Sequence, residues 1–359
     1  MGTLVEFSLV NRGTQESLLT LHRLVQLSIQ GWLAYNGHKA SYAREALRRL
    51  ASRFPDGRWD DWRLCETLLP HAEAVLRHET TFQSDITDRA LLLYNVARFQ
   101  WRQGMYNVAY PRAQESYRLR EETLGRLNPE TLRSLAFTAT ILLYRGKYET
   151  AAEIDRRALR DREKVLGLEH PDTLTSVKNL ARVLAKQGKY EASEELQRRA
   201  WEGFSKVIGP EHPDTLVCAN NLARVLGKRG KYKEGEEIHR KALEVKERVL
   251  GPMHVSTLSS VNNLALLLGD EGKFQEAEEM NLRALQGNEK MLGPQHPYTL
   301  TSAYNLAEVF AKQGKYKEAE EMNRRALEGN ERVLGAEHPK TLHSVCSLAY
   351  ILHKSQRLA

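Results

Sequence analysis

Five histidines stand 42 residues apart: His170, His212, His254, His296 and His338. Imidazoles at a fixed interval suggest metal ligation first, but ligation needs side chains that converge within a few ångströms. Equivalent residues of successive stacked units are separated by at least a helix-packing distance of ~8–10 Å. These histidines therefore read as loop or helix-capping residues. No nucleophile, base and orienting group can be assembled elsewhere. Cys65, Cys218 and Cys346 fit no metal or disulfide spacing and read as reduced core residues. No catalysis, cofactor or metal is expected.

The chemistry that remains is recognition. Glycines at 104, 146, 188, 230, 272 and 314 keep the same 42-residue step, each two residues before an aromatic. Residues ten, six and two before such a glycine share one helical face. They read Tyr94/Arg98/Arg102, Lys178/Arg182/Lys186, Asn220/Arg224/Lys228, Asn262/Leu266/Asp270 and Tyr304/Glu308/Lys312. The early part is basic and the later part mixed. Beside this stripe runs an asparagine ladder: Asn95, Asn179, Asn221, Asn263 and Asn305. Mid-helix asparagine is ~0.6 kcal/mol worse than alanine, and its amide both donates to and accepts from a peptide backbone. The expected ligand is an extended acidic peptide or acidic protein surface. The plainer alternative is a solvated face, with the asparagines tying neighbouring helices together.

The elements that must position these residues are written in the repeat. His170-Pro171-Asp172-Thr173-Leu174 recurs from 212, 254, 296 and 338, and more weakly as Asn128-Pro129-Glu130-Thr131-Leu132. Over 172–187, Leu174, Val177, Leu180, Ala181 and Leu184 form a helical stripe. Pro171 suits the first turn, His170 or Asp172 can cap it, and Gly188 permits the turn that ends it. A second helix is expected over about 191–207, with Leu196, Ala200, Phe204 and Val207 on one side. Each unit is a helical hairpin that buries its stripes only by stacking on neighbours. Small residues mark the close approaches: Ala181 and Ala223 before the turns, Ser193, Gly235 and Ala277 after them, then Ala200 and Ala242. A bulkier side chain there should cost about 1–3 kcal/mol.

This small–Gly–aromatic–small–Ala-Leu skeleton resembles the tetratricopeptide repeat, lengthened to 42 residues. The longer form, with LG-x-x-HP-x-TL between hairpins, resembles kinesin light chains and the C-terminal arrays of fungal nucleotide-binding, NLR-like receptors. The likeness covers 86–359, as units 86–127, 128–169, 170–211, 212–253, 254–295 and 296–337 and a half repeat 338–359. It implies an all-α solenoid whose first helices line a groove for extended peptides. The groove candidates are Arg98, Arg102, Lys178, Asn179, Arg182, Lys186, Asn221, Arg224, Lys228, Asn263 and Asn305.

Residues 1–35 differ in kind. Leu4–Val10 alternates like a strand, 13–16 is a turn, 18–21 a return strand and 21–33 an amphipathic helix. FSL…LHRLVQLSIQGWL resembles the end of the winged-helix part of NB-ARC nucleotide switches, with His22 at the place of a phosphate-facing histidine. Leu21 and Arg23 depart from that family's Met and Asp. The chain holds no G-x-x-x-x-G-K-[ST] phosphate cradle, so nucleotide binding by this chain alone is not expected. Residues 36–85 form a helical linker or cap, with helices near 39–54 and 59–78 and Pro70 set to bend or split the second. FPDGRWDDWRLCETLLPHAEAVL resembles the fungal receptor linker, not kinesin light chains.

The first ten residues lack the basic region of a signal peptide, and no run approaches the ~20 apolar residues of a membrane span. A soluble, cytoplasmic, non-enzymatic interaction scaffold is expected, most like the sensor part of a fungal NLR-like receptor. A kinesin-light-chain-like cargo adaptor is the nearer alternative, though 1–85 shows no heptad coiled coil. Nucleic-acid binding would draw on the net charge of +7, but 46 acidic residues are interspersed and no such motif occurs. Self-association stays open.

Overall fold

The computed structural model describes residues 10–12, 19–21, 23–78 and 83–356. Two compact units are present, 1–99 and 100–359. In the first, β1 (Val10–Arg12) pairs antiparallel with β2 (Leu19–Leu21), Val10 facing Leu21. Helices α1 (Arg23–Tyr35), α2 (Lys39–Arg53) and α3 (Trp62–Leu76) follow, with a 3-10 turn at Trp59–Asp61. Helix α4 (Gln83–Arg102) contains the division between the units. The expected strand before residue 10, the turn at 13–16 and His22 lie outside the described residues. Leu47, Ala51, Phe54, Cys65, Ala72, Leu92, Val96 and Phe99 make the core of this unit. Gly57, at φ 77°, has a reason to be glycine: a Cβ there would lie 2.7 Å from the Phe99 backbone. Pro70 does not split its helix. Helix α3 runs through it, because one missing N–H removes a single rung while Cys65 and Ala72 stay packed on either side.

The second unit stacks hairpins. Their helices are α5 (Tyr106–Leu124), α6 (Pro129–Tyr144), α7 (Tyr148–Leu166), α8 (Pro171–Lys186), α9 (Tyr190–Val207), α10 (Pro213–Lys228), α11 (Tyr232–Leu250), α12 (Val255–Glu271), α13 (Phe274–Leu292), α14 (Pro297–Lys312), α15 (Tyr316–Leu334) and α16 (Pro339–Gln356). The periodic histidines are caps. Nδ1 of His170 accepts the Asp172 N–H at 3.1 Å, and His212, His254, His296 and His338 repeat the bond at 3.1–3.2 Å. Asn128 does the same through Oδ1 at 2.9 Å. Each such cap is worth about 1 kcal/mol.

Close approach explains the small residues. Ser193 Oγ donates to the Ala181 carbonyl at 2.7 Å, and a Cβ on Gly235 would stand 2.9 Å from the Ala223 carbonyl oxygen. Leu174, Val177, Leu180 and Leu184 are buried against Phe204 and Ala200, each side chain contributing roughly 1.5–3 kcal/mol. Cys65 and Cys218 are buried as expected, whereas Cys346 is exposed on α16.

First helices of successive hairpins also pack on one another, as in α8–α10, α10–α12 and α12–α14. Among the described residues, second helices make no comparable backbone approach. Long ion pairs span them instead, such as Arg199–Glu163 at 2.7 Å and the close Arg283–Glu247 and Arg325–Glu289 pairs. Unequal spacing of this kind curves the stack, with the first helices on the inner, concave side. Within the second unit, the turn at Gly104 lies against the cap of α16. A Cβ on Gly104, in the first turn, would lie 2.6 Å from Cδ2 of His338, and His338 is only 8 % exposed.

Candidate functional site

One face of each first helix stays open on the concave side. On α8 it carries Thr175, Asn179, Arg182 and Lys186, and on α10 Val217, Asn221, Arg224 and Lys228. It continues with Ser259, Asn263, Leu266 and Asp270 on α12, and with Thr301, Glu308 and Lys312 on α14, where Asn305 is buried at 7 % exposure. The spacing i, i+4, i+7, i+11 keeps these residues in line.

The candidate cations separate by their partners. Arg98, in the first unit, places Nη2 3.3 Å from Asp56 Oδ2 and its guanidinium over the Tyr94 ring. Arg102 is exposed, lies over Trp101, and its backbone is hydrogen-bonded by His338. Lys178 leaves the groove. Its Nζ sits 5.5 Å from the Phe204 ring centroid and 3.8 Å from Asp214 Oδ1. Asn220, its counterpart, is buried and donates to Ser260 Oγ at 3.0 Å. Both stand one residue, or about 100° of helix rotation, from the open face. Lys228 and Lys312 are neutralised together by Asp270, at 2.9 and 2.8 Å.

Arg182, Lys186 and Arg224 form no ion pair among the described residues. Arg182 Nη2 donates to Thr140 Oγ1 at 3.4 Å, and its Nε is buried without an acceptor. Arg224 is exposed, yet desolvation lowers its pKa, and the charge of Arg182 lowers it further. Exposure on one side and protein on the others is what a concave wall produces. Asp155 is 2 % exposed. Desolvation pushes its carboxyl up to about 7 against the pull of Arg182 and Arg162. The amides of Asn179, Asn221, Asn263 and Asn305 make no side-chain hydrogen bond among the described residues. Nor does any group of three or more His, Cys, Asp or Glu side chains there suit a metal.

The tetratricopeptide-repeat family model matches residues 88–164, 138–202, 172–248, 218–290, 256–332 and 298–359. This chain belongs to the tetratricopeptide-repeat family. Over 135 residues it is 34% identical to a "Nucleotide-binding leucine-rich repeat (NLR)-like protein" of Hyaloscypha variabilis, covering 38% of this chain. The chain spans only 14% of that relative's length. A Podosopora anserina putative kinesin light chain with nearly identical TPR-like repeats is 27% identical, over 56% of this chain and 95% of that one, at a TM-score of 0.48. The apo form of RapI superposes at 0.56, with 16% identity, 76% of this chain and 93% of that one covered. NprR in complex with its cognate peptide NprX superposes at 0.53, with 13% identity, covering 92% of this chain and 83% of that one. No helix among the described residues of this tetratricopeptide chain is long and apolar enough to cross a membrane.

Two features of the array escaped sequence reasoning. Trp101 meets Phe137 and Tyr144 edge-on at 6.0 and 5.4 Å, and Tyr106 lies 5.3 Å from Tyr144, giving an aromatic cluster beside the basic wall. These residues sit in the two degenerate repeats, where the period no longer guides the eye. The second feature is a buried polar column, Asp155, Gln197, His239, Asn281 and Asn323, at 0–2 % exposure. Its signal was available: each residue stands nine positions after a turn glycine.

Proposed function

We propose that the array is a non-enzymatic interaction scaffold whose concave groove grips an extended acidic peptide or protein segment. The observation that carries this reading is a combination on one face. Among the described residues the half-buried amides of Asn179, Asn221 and Asn263 lack internal partners, and Arg182, Lys186 and Arg224 lack internal anions. The amides would hold the ligand backbone and the cations would select its charge. NprR, which shares the fold, is known with a bound peptide. The NLR-like relative suggests the setting: a ligand-sensing C-terminal part of a fungal receptor. There a peptide would shift the receptor between states only by its differential affinity for them.

The test is fluorescence anisotropy with labelled acidic peptides. Asn179→Ala with Asn221→Ala and Asn263→Ala should weaken binding of every peptide about tenfold or more. Unchanged affinity in that variant would place the site outside the groove.

A further inference from the structure

We propose that Arg182 and Arg224, with the hydroxyl of Tyr144, form a phosphoryl site in the groove, so that the preferred peptide carries a phosphate monoester. This deepens the groove reading and rests on it. The column six residues before the turn glycines runs Arg98, Thr140, Arg182, Arg224, Leu266, Glu308. In the second unit the cations on it are a single adjacent pair, with an apolar and then an acidic residue following. A polyacidic tract would be matched by charges spread along the groove. A pair confined to two repeats matches one compact, multiply charged group.

The pair is electrostatically incomplete. The Arg182 charge lowers the pKa of Arg224, and no carboxylate pairs with either guanidinium among the described residues. A buried Nε–H on Arg182 has no acceptor. Asp155 feels the Arg182 charge, but desolvation pushes its carboxyl up to about 7, so at pH 7 it brings only about half a negative charge against the two guanidiniums. One carboxylate brings a single charge and two oxygens. A phosphate monoester brings a charge of about −1.5 to −2 and three acceptor oxygens. That is enough for two guanidinium forks and a hydroxyl donor. Tyr144 is 47% exposed and acts on the Arg224 charge, which places a phenol at the rim. Lys186, one turn along α8 from Arg182, adds a further cation.

The experiment uses the full chain and three immobilised degenerate peptide libraries that differ only in a fixed central serine, glutamate or phosphoserine. Retention on the phosphoserine library should exceed the other two by about tenfold. Arg224→Gln should abolish that excess, bringing phosphoserine-library retention down to that of the serine library, and Arg224→Lys should restore only part of it, because charge returns without the fork. Arg224 is exposed, so these variants fold; Arg182→Gln then serves as a second, independent loss. Equal retention of the glutamate and phosphoserine libraries, or an excess that survives both glutamines, overturns the phosphoryl site and leaves the groove standing. Failure of all three libraries to retain the wild-type chain overturns both.

Discussion

Early and late repeats share one backbone but fill its polar positions differently. At the joint between hairpins, a second-helix residue reaches a serine on the next first helix. Early in the array it is a cation: Arg120 donates to Ser134 Oγ at 3.0 Å and Arg162 to Ser176 Oγ at 2.8 Å. Lys246 does so to Ser260 Oγ at 2.8 Å. Late in the array it is an amide, as Asn288 donates to Ser302 Oγ at 3.0 Å. The joint between those of Arg162 and Lys246 is apolar, with Phe204 and Cys218 in a single buried cluster. The buried column changes in parallel, from Asp155 and His239 to Asn281 and Asn323, and the groove from Arg182 and Arg224 to Leu266 and Glu308. The repeat thus fixes the place of a partnered side chain and leaves its charge free. Asp155 and His239, the titratable members of the buried column, both precede Asn281 and Asn323.

The largest test of that contrast is pH. Burial, then the charges of Lys246 and Arg224, lower His239 to about 4 from its ordinary 6.5. A depressed histidine leaves stability intact above pH 6.5 and drains it as pH falls from 6.5 toward 4. The loss approaches about 3 kcal/mol. His239→Asn, which copies the late repeats, should flatten this part of the acid dependence of the urea midpoint. An unchanged slope would mean His239 is protonated at no cost.

A smaller effect is expected at the apolar joint. Cys218→Ser alone should cost about 1–2 kcal/mol, because it sets a hydroxyl against Phe204. Adding Phe204→Asn should recover part of the loss, with a coupling of about 1 kcal/mol in a double-mutant cycle. Strict additivity would show that the two positions do not switch together. Smaller again, Asn323→Leu removes two orphaned buried polar atoms and should raise the urea midpoint by the equivalent of about 1 kcal/mol. A lower midpoint would reveal a partner for that amide.

Much of this was legible in the sequence because copying wrote each signal several times. Helix α8 begins at Pro171 and α9 ends at Val207, where the periodic proline and the apolar stripe predicted. The histidine caps followed from the same column. The stripe on the first helices was legible as a row of side chains but not residue by residue. Lys178 and Lys186 look alike in sequence, yet one extra residue of rotation sends Lys178 to Phe204 and Asp214. Pairing across repeats was hidden as well, since Asp270 meets lysines 42 positions away on either side. Those partners are neighbours only after the hairpins stack.

The central claim is that the early half of the groove selects the ligand's charge. The most direct measurement is anisotropy with one acidic peptide against two charge-reversed chains, across a salt series. Arg182→Glu with Arg224→Glu should weaken binding about a hundredfold and flatten its salt dependence. Lys228→Glu with Lys312→Glu, whose lysines already serve Asp270, should weaken it only a few-fold. Equal losses in the two variants would contradict the account, because the charge would then be read along the whole groove.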